Sequence, residues 1–301
     1  MTRCESPKEG MFKFFENIDR YINAVKSPEN ASTQQEVSRE CTLMSNYFYR
    51  NKNPGVAKSI CEQFLKLYIS LNEYVSKIKT DPTYLSAVHF LNYWLNAELK
   101  KKLFKENIDV NDFYDNLETY AQSIDAISFL NIKEICVIKN DELDNMNILY
   151  NLYSNYYNVF NGSNIVCATK ESCLEYSKQC FQEYKKGIIK CENNDSDFCK
   201  AIKEFENKYD SLKRGNKTNN GFNSKELMPL PSYEQAFEEY QSELNRRITI
   251  FTPFGKWLPI NKKNQEKRHA MKEKMYNFID NSNEYSTYNE YTPYRFGYNS
   301  T

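Results

Sequence analysis

From Phe12 to Leu244, apolar side chains recur three and four residues apart in one segment after another, and this spacing constrains the fold more than any other feature. A 3.6-residue period places such side chains on one face of a helix. Phe12, Phe15, Ile18, Ile22 and Val25 make the first stripe; Ala57, Ile60, Cys61, Phe64, Tyr68, Leu71 and Val75 make the second. Tyr84, Val88, Leu91, Leu95 and Leu99 follow, then Leu143, Met146, Tyr150, Tyr153, Tyr157 and Phe160. Leu174, Ser177, Phe181, Tyr184 and Ile188 precede Phe198, Ile202, Phe205, Tyr209 and Leu212, and Tyr233, Phe237, Tyr240 and Leu244 close the series. Only 8 glycines and 9 prolines interrupt 301 residues, which favours long elements over a turn-rich sandwich. Helices of this length are marginal alone in water, so the stripes must pack on one another.

The expected fold is therefore all-α: an irregular multi-helix domain with a cysteine cluster, then a linker, a C-terminal helix and a disordered tail. Ile132 to Ile138 is the only short strand candidate, and no repeat of solenoid length is evident. The helical domain is expected over 1–212. Lys213 to Ser224 is polar, with two glycines and four asparagines, and predicts a flexible linker that runs over 213–231 and ends at Pro229 and Pro231. Segment 232–259 reads as a helix followed by a Pro- and Gly-broken apolar block. Segment 260–301 reads as a basic stretch and then a disordered tail rich in Tyr, Asn and Ser.

Forty basic and 40 acidic side chains cancel, so no global field points to nucleic acid or to an anionic membrane, and no nucleic-acid partner is expected. Met1-Thr2-Arg3-Cys4-Glu5 carries no apolar core of a signal peptide. No run of about 18 apolar residues predicts a transmembrane helix. The longest uncharged run, Asn145 to Thr169, is full of Asn and Ser amides and hydroxyls that lipid would leave unpaired.

Nine cysteines are present, five of them between Cys167 and Cys199. Disulfides, reduced structural thiols and metal ligation are all open to such a set. Metal fits worst, because the spacings are wide and the only histidines are His89 and His269. Cys136, Cys167, Cys173, Cys180, Cys191 and Cys199 are the disulfide candidates, and an odd count leaves at least one thiol without an intrachain partner. An antiparallel return after Asp195 suggests Cys180–Cys199 as the first pairing to test.

No phosphate loop, nucleophile elbow or metalloprotease motif occurs, so neither enzymatic activity nor a cofactor is expected. His89 sits among helix-core residues and reads as a packed histidine, and Trp94 as a core anchor. Tyr150 to Tyr157 could stack nucleic-acid bases, but their spacing is that of a core face. Asn-x-Ser/Thr triplets, among them those at Asn30, Asn161, Asn194 and Asn216, occur in a chain so rich in Asn that chance accounts for such matches. Lys262, Lys263, Lys267 and Arg268 form a basic tail, read either as a solvated helix face or as a membrane-proximal or partner-binding element.

Four blocks resemble the Plasmodium interspersed repeat superfamily, in particular the Vir-like proteins of malaria parasites. The first is Ala87 to Asn96, with Phe90, Leu91, Tyr93, Trp94 and Leu95 at its centre. Leu149 to Tyr153 with Tyr156 and Tyr157 makes the second. The third runs from Cys173 through Cys180, Tyr184 and Cys191 to Phe198, Cys199, Phe205 and Tyr209. The fourth is Phe251-Thr252-Pro253-Phe254-Gly255-Lys256-Trp257-Leu258. The resemblance implies a helical, cysteine-bearing ectodomain, a transmembrane helix and a short basic cytoplasmic tail. It also implies infected-cell display or export, antigenic variation, immune evasion and an unknown host or parasite protein as partner. This chain departs from that pattern where the anchor is expected. Glu243 to Ile250, just before the Phe251 block, carries three charges, so at most peripheral membrane attachment through Phe254 and Trp257 beside the basic tail is expected.

Overall fold

The computed structural model describes residues 10–26, 31–51, 53–103, 109–125, 127, 132, 134–192 and 195–251. The chain divides into two compact units, Met1–Gln241 and Ser242–Thr301; the described part of the second is the continuation of one helix. A 3-10 turn at Lys13–Asn17 leads into α1 (Ile18–Lys26). Helix α2 (Ala31–Ser45), a second 3-10 turn (Asn46–Asn51), α3 (Pro54–Ser70) and the one-turn α4 (Asn72–Val75) follow. Next come α5 (Pro82–Leu103), α6 (Val110–Ala121) and α7 (Asn140–Val159). A hairpin of β1 (Phe160–Asn161) and β2 (Asn164–Ile165) turns the chain into α8 (Lys170–Ile188) and α9 (Asp197–Arg214). A second hairpin, β3 (Thr218–Asn219) and β4 (Phe222–Asn223), precedes a 3-10 turn at Ser224–Glu226 and α10 (Tyr233–Phe251). Among the described residues the two hairpins hold all of the strand, so the architecture is all-α.

Helix starts lie where local chemistry favours them. Pro54 opens α3, where its missing N–H removes no bond. Asp81 accepts the Thr83 backbone N–H at 2.7 Å ahead of α5, and Asp109 accepts that of Asn111 ahead of α6. Helix α5 lies at the centre of the first unit. Phe90, Leu91, Tyr93, Trp94 and Leu95 are all buried, as are the intervening Asn92 and the following Asn96. A helix buried on every face needs apolar residues all round, which this segment supplies. Its rings meet those of distant segments: Phe90 lies 4.7 Å from Tyr21 and 5.6 Å from Phe14, and Tyr93 lies 5.6 Å from Tyr150.

The strand expected at Ile132 to Ile138 is not formed; Glu134 to Ile138 runs without regular structure along α5. Asn92 and Asn96 take the place of a partner strand. The Cys136 and Ile138 backbone N–H groups donate to Asn92 Oδ1 and Asn96 Oδ1, each at 3.0 Å, and Asn96 Nδ2 donates to the Cys136 carbonyl at 2.9 Å. A side-chain amide carries the same donor–acceptor pair as a peptide group, so two asparagines one turn apart satisfy this buried backbone.

The stripe expected on α8 is rotated. Leu174 is 38% exposed, and the inward residues are Cys173, Ser177, Cys180, Tyr184 and Gly187. Small residues face inward because the neighbouring helices come close. A Cβ built on Gly187 would lie 2.6 Å from Ile202 Cδ1 of α9 and 3.3 Å from Ile148 Cγ2 of α7. Val25, the last member of the first stripe, is also exposed.

Candidate functional site: a disulfide-stapled end

Cys167, Cys173, Cys191 and Cys199 flank the starts of α8 and α9. Thr169 caps α8: its Oγ1 accepts the Ser172 backbone N–H at 3.2 Å, and Ser172 Oγ accepts the Thr169 N–H in return. Ser196 caps α9, accepting the Cys199 backbone N–H at 3.3 Å. A disulfide encloses each cap. Cys167–Cys173 spans Thr169, and Cys191–Cys199 spans Ser196, with Cα atoms 5.5 Å apart in both. Each helix therefore begins inside a short covalent ring. A third bridge, Cys41–Cys61, ties α2 to α3 in the interior, and Cys136 is also disulfide-bonded.

The expected Cys180–Cys199 pairing is wrong. Antiparallel return of α9 on α8 is correct, but its register sets Ser177 against Tyr209, Gly187 against Ile202, and Cys191 against Cys199. Cys180 is thus roughly 10 residues, or about 15 Å along the helix, from the level of Cys199. It remains a free, buried thiol whose Sγ lies 3.7 Å from the Leu152 carbonyl. Burial raises its pKa strongly, and Glu183 adds to the rise, so the thiolate that would make it reactive is suppressed.

The 213–231 segment is not a flexible linker. Asn220 and Gly221 both have positive φ, 49° and 73°, as the central pair of a type I′ hairpin requires. Phe222 and Leu227 are buried. Asn219 Nδ2 donates to the Ile165 carbonyl and Asn220 Nδ2 to the Cys167 carbonyl, at 2.9 and 2.8 Å, so the second hairpin is pinned to the first. Lys170 and Glu226 form an ion pair across the same junction. Beneath it, a closed ring of three hydrogen bonds joins Ser177, Tyr209 and Met228. Ser177 Oγ and Tyr209 OH are 2.8 Å apart, Tyr209 OH donates to the Met228 carbonyl, and the Met228 N–H donates to Ser177 Oγ. Val166, Leu174 and Met228 remain partly exposed at this end, and the hairpin tips are exposed.

The aromatic run on α7 is a core face. Tyr153 and Tyr156 are buried and meet Phe205 of α9 edge-on. The ammonium of Lys208 lies 4.9 to 5.6 Å over the rings of Tyr153, Tyr156 and Tyr157 and donates to Tyr157 OH at 2.6 Å. Burial lowers the Lys208 pKa, opposed by the negative charge of Asp19.

Phe90, Leu91, Tyr93, Trp94 and Leu95 are interior residues of α5, and His89 is half-buried on the same helix. Phe251 ends α10, whereas Pro253, Phe254, Gly255, Trp257 and the basic Lys262, Lys263, Lys267 and Arg268 lie outside the described residues. No helix among the described residues is long and apolar enough to cross a membrane. The Asn92–Asn96 clamp was missed, and its signal is two amides at i and i+4 inside an otherwise apolar helix. The second hairpin was missed although its Asn-Gly dipeptide is a strong turn signal. No family model matches the chain, and no curated protein or solved structure matches it in sequence or fold.

Proposed function

We propose that this chain is a variant antigen of the Vir type within the Plasmodium interspersed repeat superfamily, acting in immune evasion and host-cell interaction through its exposed surface, without enzymatic activity. One observation carries the reading: within the first three blocks that resemble the family, the aromatic and cysteine positions are mostly buried. Phe90, Leu91, Tyr93, Trp94, Leu95, Leu149, Leu152, Tyr153, Tyr156, Cys173, Tyr184, Phe198 and Phe205 are all interior. Such a pattern specifies a scaffold and leaves the outer surface free to vary. The disulfide-stapled end suits display in an oxidising compartment, where bridges persist. Its partner is a host or parasite protein met by the hairpin tips and neighbouring helix faces.

A second reading is a structural or trafficking protein within the parasite or infected cell, favoured by the charged Glu243 to Ile250 run where the family has its anchor. Antibody labelling of infected cells with and without permeabilisation separates the two. Labelling of intact cells, with recognition by immune sera, supports the antigen. Labelling only after permeabilisation rejects surface display.

A further inference from the structure

Two Asn-x-Ser/Thr triplets, at Asn161 and Asn216, begin at described residues, and the structure treats them differently. In Asn216-Lys217-Thr218 both recognition side chains are already engaged by one neighbour. Asn223 Nδ2 donates to Asn216 Oδ1 and to Thr218 Oγ1, each at 2.9 Å, and Asn216 is held at a positive φ of 50°. In Asn161-Gly162-Ser163 the side chains are open. Asn161 ends β1 opposite Asn164, Gly162 turns the hairpin with φ 58°, and positions 161 to 164 are all exposed. The Asn161 carboxamide has no hydrogen-bond partner among the described residues, and a Cβ added at Gly162 would meet nothing within 4 Å. The Cys167–Cys173 bridge fixes the base of this hairpin and implies folding in the oxidising compartment where glycan transfer occurs.

We propose that Asn161 is an N-glycosylation site, bearing a glycan that begins with N-acetylhexosamine. The donor is a polyisoprenyl diphosphate-linked sugar, delivered by a membrane transferase that recognises the Ser163 hydroxyl. Asn161 Nδ2 attacks C1 of the first sugar. The new C1–N bond forms as the C1–O bond to diphosphate breaks, the amide loses one proton, and the polyisoprenyl diphosphate leaves. The sugar then projects from the hairpin tip, where it displaces no side chain and breaks no hydrogen bond. At Asn216 a transferase would have to displace Asn223 to reach the two side chains it recognises.

The proposal rests on the oxidising-compartment part of the functional reading, and its test separates the two. The full chain is secreted from a eukaryotic cell behind an added cleavable leader. Its peptides are then mapped without reduction, before and after peptide N-glycosidase. The expected result is the Cys167–Cys173 bridge together with an Asn161 peptide heavier by at least one N-acetylhexosamine. That increment should vanish in Asn161→Gln and in Ser163→Ala, persist in Ser163→Thr, and be unchanged in Asn216→Gln. A bare Asn161 in protein that carries the bridge overturns the site and leaves the compartment reading intact. Sugar on Asn216 with Asn161 bare overturns it equally. Fully reduced thiols in the secreted protein overturn both.

Discussion

The aromatic seam around α5 and the stapled end around α8 are built on opposite plans. In the seam, residues from four separate stretches meet. Phe14 and Phe15 come from the first 3-10 turn, Tyr21 from α1, Phe90 and Tyr93 from α5, and Tyr150 and Tyr153 from α7. Their stability comes from apolar area removed from water and from ring packing. At the stapled end the partners are near in sequence or held by polar bonds, and the interior-facing residues of α8 are mostly small. There, order comes from covalent closure and a complete set of hydrogen bonds. The contrast shows that one chain can stabilise its two parts by different physics, and it makes each part vulnerable to a different perturbation.

Alkali should act most strongly, and on the seam. Burial raises the Tyr21, Tyr84 and Tyr150 pKa values to about 12, against an ordinary 10.0. Below pH 10 these phenols are neutral in both folded and unfolded chains, and their contribution is fully present. As pH rises from 10 toward 12 the unfolded chain ionises first, so stability falls across that window. Phenolate absorbance and circular dichroism should change together in one cooperative step. Smooth titration of these tyrosines at pH 10 in a folded protein would break the comparison. Next, Phe90→Ala should destabilise by about 3–5 kcal/mol in denaturant unfolding, as for other large-to-small changes at buried aromatic sites.

The bridges should rank by loop length. Replacing Cys41 and Cys61 with Ala opens a separation of 20 residues and should cost about 3.3 kcal/mol on the chain-entropy estimate, against about 2.2 for the 6-residue separation of Cys167 and Cys173. Equal losses in denaturant unfolding would show that loop closure does not set what the bridges contribute. Ser177→Ala leaves the Met228 N–H unpaired, so a loss of about 1–3 kcal/mol is expected, with faster amide exchange at Met228 than in the parent protein. Smallest of all, Glu239→Gln on α10 removes the ion pair to Lys185 of α8, and a surface pair of this kind should change stability by no more than about 1 kcal/mol and less at high salt.

Periodicity made the helices legible. The stripes on α3 and α5 are buried at every position named for them, and that of α9 at all but the half-buried Leu212. On α8 pattern alone found Ser177 and Tyr184 but chose Leu174, Phe181 and Ile188 over Cys173, Cys180 and Gly187, because Cys and Gly carry weak hydrophobic signals yet let helices approach closely. Positions of the cysteines were legible; their pairing was not, because a helix register error of a few residues moves a thiol farther than the 5.5 Å a bridge spans. Polarity disguised the second hairpin. Its asparagines look solvent-directed in sequence, yet Asn219 and Asn220 hydrogen-bond to carbonyls more than 50 residues away.

The three bridges whose two ends are described share one property: each joins cysteines that follow one another directly along the chain, 41 to 61, 167 to 173 and 191 to 199. Emerging from the ribosome at roughly 5–20 residues per second, each second thiol appears within seconds of the first, before any later cysteine can compete. Oxidation can therefore proceed in order of synthesis with no reshuffling among these pairs. Cys180 emerges after Cys173 and before Cys191, and in the folded chain its burial against the Leu152 carbonyl holds it apart from the later pair.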